Sequence, residues 1–164
     1  MNIEGPTTAG STGTEEPTTT GGETPRTVTA HRGSCHCGAV RFEADLDAAA
    51  GGTRCNCTIC TKTAQLGAVI KPAGFRLLAG EESLTSYEWR SRMSRRFFCK
   101  LCGIHVFGRG HLKELGGDFV SVNFNALDDL DVSQLTVTYW DGRHDNWYAG
   151  TRATPWPIVA APGQ

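Results

Sequence analysis

Val40, Phe42, Ala44 and Leu46 alternate with Arg41, Glu43 and Asp45. A period of two places the apolar set on one face of a half-buried β-strand. Six further stretches read as strands. "GAVIKP" (67–72) and "FRLLAG" (75–80) are short apolar runs bounded by Gly and Pro, and "SLTSYEW" (83–89) and "SRRFFC" (94–99) follow them. "DFVSVNFNAL" (118–127) carries the strongest signal, through Phe119, Val120, Val122 and Phe124. "QLTVTYWDG" (134–142) ends in an Asp-Gly turn signal. Helical pattern is sparse: one turn starting at Thr58 as N-cap, and another through "DDLDVSQL" (128–135). Many short strands with little helix predict a mainly β architecture. No internal repeat is visible beyond pairs of cysteines.

Met1 to Thr29 has a different pattern. Thr and Gly dominate it, with four Glu and no aromatic residue. Such a segment buries too little apolar surface to offset its ordering entropy, so residues 1–29 are expected to form a disordered tail. The alternative for this stretch is a regulatory or partner-binding arm. Residues 30–164 are expected to form one folded domain, in keeping with a chain of 164 residues.

Charge narrows the partners. The chain carries 16 basic and 17 acidic residues, a formal net charge of −1. Setting aside Arg26 and the four tail glutamates (Glu4, Glu15, Glu16, Glu23) leaves 15 basic against 13 acidic residues. A balance this even argues against nucleic acid as the main partner. No apolar run approaches the roughly 20 residues of a membrane span. The first residues lack the charged start and apolar core of a secretory signal, which places the protein in the cytoplasm as an expectation.

The seven cysteines change the picture most. An odd number cannot be fully paired within one chain, and without an export signal a disulfide framework is a poor reading. Reduced cysteines clustered at short spacing point to metal. "GSCHCGAV" holds Cys35 and Cys37, and "FFCKLCGIH" holds Cys99 and Cys102. A tetrahedral zinc site places neighbouring sulfurs about 3.8 Å apart, and a tight turn brings two cysteines that close. Each pair is followed by a glycine, Gly38 or Gly103, that tolerates positive φ and lets backbone N–H groups approach sulfur. Two halves make one closed, structural four-cysteine site. It would clamp segments far apart in sequence and lend a small β domain stability.

"RCNCTICTK" (54–62) leaves Cys55, Cys57 and Cys60. Three protein ligands and one open position are the arrangement of a catalytic zinc. Three thiolates on the ion suit a soft fourth ligand, and a thiol is the natural one. Two alternatives stand beside this reading. A histidine (His36, His105 or His111) could close the second site, or Cys57 and Cys60 could form a redox dithiol, although the βαβ context of such motifs is missing.

"GSCHCGAVRFE", "CNCTICTK" and "FCKLCG", in that order and spacing, resemble the glutathione-dependent formaldehyde-activating enzyme family, which shares its domain with centromere protein V. The resemblance covers roughly Arg32 to Ile158 and includes all seven cysteines. It implies an Mss4-like, zinc-stabilised fold of short antiparallel sheets. It also implies two zinc ions per chain: a structural one on Cys35, Cys37, Cys99 and Cys102, and a catalytic one on Cys55, Cys57 and Cys60. The implied activity is a carbon–sulfur lyase that releases glutathione and formaldehyde from S-hydroxymethylglutathione, or joins them. The family motif often has His where Asn56 stands and Arg where Thr61 stands, whereas Lys62 keeps its place. "DGRHDNW" (141–147) replaces a Ser-Arg-containing segment. These departures leave metal binding alone and bear on the substrate.

Further residues complete the expectation. A small thiol such as glutathione and an aldehyde are the expected partners. Arg90, Arg92, Arg95, Arg96 and Lys100 could meet carboxylates, or form a solvated strand face. His105 could shuttle a proton. Trp140 and Trp147 flank a turn that either seals the core or walls a pocket, bringing Asp141, Arg143 and His144 near a ligand. Trp156, between two prolines, suggests a rigid segment lying across the body. Two other functions fit the same residues: a thiol-binding carrier without turnover, and a zinc-stabilised interaction module using Trp89 and the arginine run.

Overall fold

The computed structural model describes residues 27–89 and 92–159. The expected tail therefore lies outside the described residues, apart from 27–29, and so does Arg90.

Ten strands and one short helix make up the domain. They are β1 (Thr29–Ser34), β2 (Arg41–Leu46), β3 (Gly52–Cys55), α1 (Thr58–Lys62), β4 (Gly67–Ile70), β5 (Phe75–Ala79), β6 (Leu84–Glu88), β7 (Ser94–Cys99), β8 (His105–Leu112), β9 (Gly117–Asn123) and β10 (Val137–Trp140). The mainly β architecture is as the pattern predicted, and each of the seven predicted stretches contains a strand. "DDLDVSQL" holds a 3-10 turn, Val132–Gln134. The α1 turn begins with Thr58 as its first helical residue, so the cap position belongs to Cys57. The Cys57 side chain makes no cap hydrogen bond, because its sulfur gathers with two other sulfurs. Among the described residues no helix is long and apolar enough to cross a membrane.

Two sheets form: β1-β2-β5, and β10-β3-β4-β9-β8-β7-β6. Named pairings are antiparallel, except that β10 runs parallel to β3, with Trp140 opposite Cys55. That pairing brings the last strand beside the second cysteine cluster.

Alternation in β2 buries Phe42, Ala44 and Leu46 between the sheets. The centre of the core is a run of rings. Phe42 and Phe75 stack from the small sheet at 5.4 Å, Phe75 meets Phe107 of β8 at 4.5 Å, and Phe97 of β7 continues at 4.9 Å. Aromatic side chains bury large areas in favourable offset geometries, so these four rings supply much of the cohesion between the layers. Arg76 adds a two-pronged contact to Asp45 at 2.7 and 2.8 Å across the small sheet, which holds that carboxyl below its ordinary range.

Candidate metal centres and the adjoining cavity

The turn between β1 and β2 carries Cys35 and Cys37; Cys99 ends β7, and Cys102 lies in the turn that leads to β8. One hairpin belongs to the small sheet and the other to the large sheet. The four sulfurs lie within 4.8 Å of one another. Cys35 and Cys37 are separated by 3.5 Å, and Cys37 and Cys99 by 3.7 Å. These spacings are far longer than a disulfide, about 2.05 Å, and match the ~3.8 Å edge of a tetrahedron of metal–sulfur bonds. Both turns are built alike. Gly38 and Gly103 each adopt φ +74, and their N–H groups donate to the carbonyls of Cys35 and Cys99. The Val40 N–H donates to the Cys35 sulfur at 3.3 Å. Backbone N–H groups of Ile104 and Cys37 hold the Cys102 thiol down to about 6. This donor set fits a closed metal site.

Cys55 ends β3, Cys57 caps α1, and Cys60 lies one turn into that helix. Their three sulfurs also lie within 4.8 Å of one another. No histidine joins them among the described residues, so the structure does not bring His36, His105 or His111 into a closed second site. The charge is unevenly shared. Hydrogen bonds from Cys55 and Cys60 push Cys57 down to about 2, helped by the Cys60 N–H and the charge of Arg96. Cys55 is pushed up by Cys57 and Cys60 first, then by burial. Arg96 Nη2 donates to the Cys60 sulfur at 3.3 Å. A thiolate held beside a guanidinium is the donor state that metal binding requires.

Asn56 fastens the C-terminal segment over this centre. Its Nδ2 donates to Asp141 Oδ1 at 2.7 Å and to the Pro157 carbonyl at 3.1 Å, and its Oδ1 accepts from the Arg143 N–H at 2.9 Å. Arg143 Nε donates to the Asn56 carbonyl at 3.0 Å, and His144 Nδ1 bonds Asp141 Oδ1 at 2.7 Å. Asn56 and Asp141 are both buried. Sequence reading treated Asn56 as a substrate-related departure and missed its part as the hub of this network. Its partners lie 85 and 87 residues downstream, so no local pattern marks them.

A cavity of about 200 Å³ opens beside the three sulfurs. Of the three cysteines, Cys55 and Cys60 line it, beside Asn56, Thr61 and Gln65, and Tyr139, Trp140, Pro155, Trp156 and Ile158 supply its aromatic and aliphatic lining. Of the two tryptophans that the sharper sequence reading set at a pocket wall, Trp140 lines the cavity and Trp147 does not; Trp156, read only as part of a rigid segment across the body, lines it as well. Asp141, Arg143 and His144 do not line it; their polar groups hold the turn. Trp147 packs on Trp140 with ring centres 5.9 Å apart.

The arginine run divides. Arg95 pairs with Glu88, Arg96 turns to Cys60, and neither Arg92 nor Lys100 lines the cavity. His105 is 5% exposed, with both ring nitrogens buried and unpartnered. Burial, then the nearby charge of Arg96, lowers it to about 4. It does not border the cavity, and an imidazole so disinclined to take a proton is a poor shuttle at neutral pH. The shuttle expected of His105 is corrected on those grounds.

A family model described as glutathione-dependent formaldehyde-activating enzyme matches residues 30–143. A crystal structure of a Rhodobacter sphaeroides protein is similar, with 30% sequence identity and a TM-score of 0.54 over 61% of this chain and 90% of its own.

Proposed function

The chain belongs to the glutathione-dependent formaldehyde-activating enzyme family, and from that premise we propose that it is a zinc-dependent carbon–sulfur lyase acting on thiol–aldehyde adducts, the class of S-hydroxymethylglutathione. The observation that carries this reading is the three-sulfur centre of Cys55, Cys57 and Cys60, which no histidine among the described residues closes and which borders a cavity through Cys55 and Cys60. Cys35, Cys37, Cys99 and Cys102 would hold a structural zinc that ties the two sheets together. Zinc at the second centre would supply an open position that favours the deprotonated form of an incoming thiol.

The residues of the chain do the rest. Arg96 offsets negative charge on the sulfurs through its bond to Cys60. The Asn56 network holds the 141–143 turn against the centre, and aromatic side chains border the cavity. In the lyase direction the adduct's carbon–sulfur bond breaks with its electron pair on sulfur. Its hydroxyl loses a proton to solvent as the carbonyl forms. The protein contributes orientation and a stabilised leaving sulfur.

The test is carbon-13 NMR with labelled formaldehyde and a thiol, comparing exchange rates with and without zinc-loaded protein. Acceleration that disappears in Cys57→Ala supports the lyase. A rate no higher than the spontaneous one, with thiol binding retained, reassigns the protein as a carrier.

A further inference from the structure

Glutathione bears two carboxylates and an ammonium group, yet the cavity beside the three sulfurs has a single charged side chain in its lining, Arg54. The rest of the lining joins aromatic and aliphatic groups to the neutral polar side chains of Asn56, Thr61 and Gln65. Most of those polar groups are already engaged, and Gln65 Oε1 faces the Cys60 sulfur at 3.9 Å. Asn56 uses both ends of its amide on the C-terminal segment, the Thr61 hydroxyl donates to the Asn56 carbonyl, and Trp156 Nε1 donates to the Tyr139 carbonyl at 3.0 Å. None of the described residues of the basic run lines the cavity, and Arg95 and Arg96 are committed to Glu88 and Cys60.

The wall is also held in place. Arg152 exchanges two backbone bonds with Tyr139 at 2.9 and 3.2 Å. Its guanidinium covers the Trp156 ring at 3.7 Å and donates to the carbonyls of Thr154 and Pro155. A ring fixed this way meets a ligand without an ordering cost, which is the condition for shape to select.

We propose that this cavity selects the thiol by its organic part, taking a compact aromatic or apolar group with one carboxylate, paired by Arg54, in preference to a doubly acidic peptide thiol. The inference rests on the reading of the cysteine centre as a thiol site. Trp156 and Ile158 are specificity-determining, and Arg54, being exposed, contributes a weak pairing.

Isothermal titration of the zinc-loaded full chain, without aldehyde, tests it with four probes: 4-mercaptophenylacetate, neutral 4-methylthiophenol, sulfur-free 4-methylphenylacetate, and glutathione. The aromatic monoacid thiol is expected to bind at least about tenfold more tightly than glutathione, with Trp156→Ala or Ile158→Asp erasing the difference. Arg54→Ala should weaken the monoacid thiol about threefold and leave the neutral thiol unchanged. Glutathione binding as tightly as the aromatic thiol, or wall variants weakening both equally, overturns the proposal. If the sulfur-free acid binds as well as its thiol counterpart and keeps its dependence on Trp156, the cavity assignment stands and the thiol site fails.

Discussion

Arg96 Nη2 donates to the sulfur of Cys60 at 3.3 Å, across 36 residues of sequence. It joins β7 of the large sheet to the α1 turn. Three thiolates around a divalent cation would leave a net charge near −1, and at this range a guanidinium offsets it strongly because neither partner is fully solvated. The Nε of Arg96 is buried and has no partner, so the side chain is placed for charge rather than for a complete set of hydrogen bonds.

Replacing Arg96 with Gln should therefore weaken metal binding at the three-sulfur centre by about 10–100-fold, the usual effect of losing a group that orients a ligand. Arg96→Lys should fall between, since an ammonium restores charge but not the planar fork. Chelator competition resolves the two centres, and the four-sulfur centre should hold its metal unchanged. Equal affinities in all three proteins would remove Arg96 from the account.

The two centres should also separate by stability. Cys99 is fully buried where the hairpins of the two sheets meet, so Cys99→Ala is expected to abolish cooperative unfolding, because metal binding there is folding free energy. Cys57→Ala should stay folded while metal content drops from about two ions per chain to about one. Elemental analysis and thermal melts of protein purified without added zinc check both. A folded Cys99→Ala variant with two metals would refute the clamp.

His105 gives a pH signature. Its folded-state value of about 4 lies below the ordinary 6.5, with burial as the main cause. The unfolded chain therefore binds the extra proton more readily. The stability from keeping this ring neutral is complete above pH 6.5 and is lost as pH falls toward 4. The full loss is about 3 kcal/mol. His105→Leu, which lacks the titrating ring, should lose less stability over that window. Acid also releases metal from thiolates in both proteins, so the quantity to read is the difference between them. Parallel denaturation curves from pH 7 to 4 would exclude the ring as the source.

Much of this was legible in the chain. The alternation at 41–46 and the apolar run at 119–124 announce buried strands, and cysteine spacing alone groups the sulfurs as the structure does. Three strands were not read. In β8 the alternation is broken by Gly108 and Gly110; a Cβ at Gly110 would sit 2.3 Å from the Met93 carbonyl oxygen and 2.6 Å from the Phe119 ring, whereas one at Gly108 would meet the Ser121 hydroxyl. β1 is polar and β3 is short, and both are strands because partners pair with them. The parallel docking of β10 on β3 is a non-local choice with no local signature. For the same reason the Asn56–Asp141 bond, spanning 85 residues, was invisible, as was the division of the arginine run between Glu88 and Cys60.

Gly142 offers the sharpest test of how the turn is seated. A Cβ there would lie 2.5 Å from the Cys55 sulfur and 2.6 Å from the Trp147 ring. Its φ is not positive, so alanine is opposed by contact and not by backbone preference. The turn cannot simply lift away, because Asn56 holds Asp141 and Arg143 on either side of it. The strain therefore falls on Cys55, whose sulfur is one of three that must converge. Gly142→Ala should keep the fold and the four-sulfur metal while lowering occupancy of the three-sulfur centre. Cobalt substitution reads this directly, since sulfur-to-cobalt charge-transfer bands report thiolate ligation at each centre. A cobalt spectrum and stoichiometry identical to the parent protein would show that the turn has slack, and that its grip on Cys55 does not set the geometry of the site.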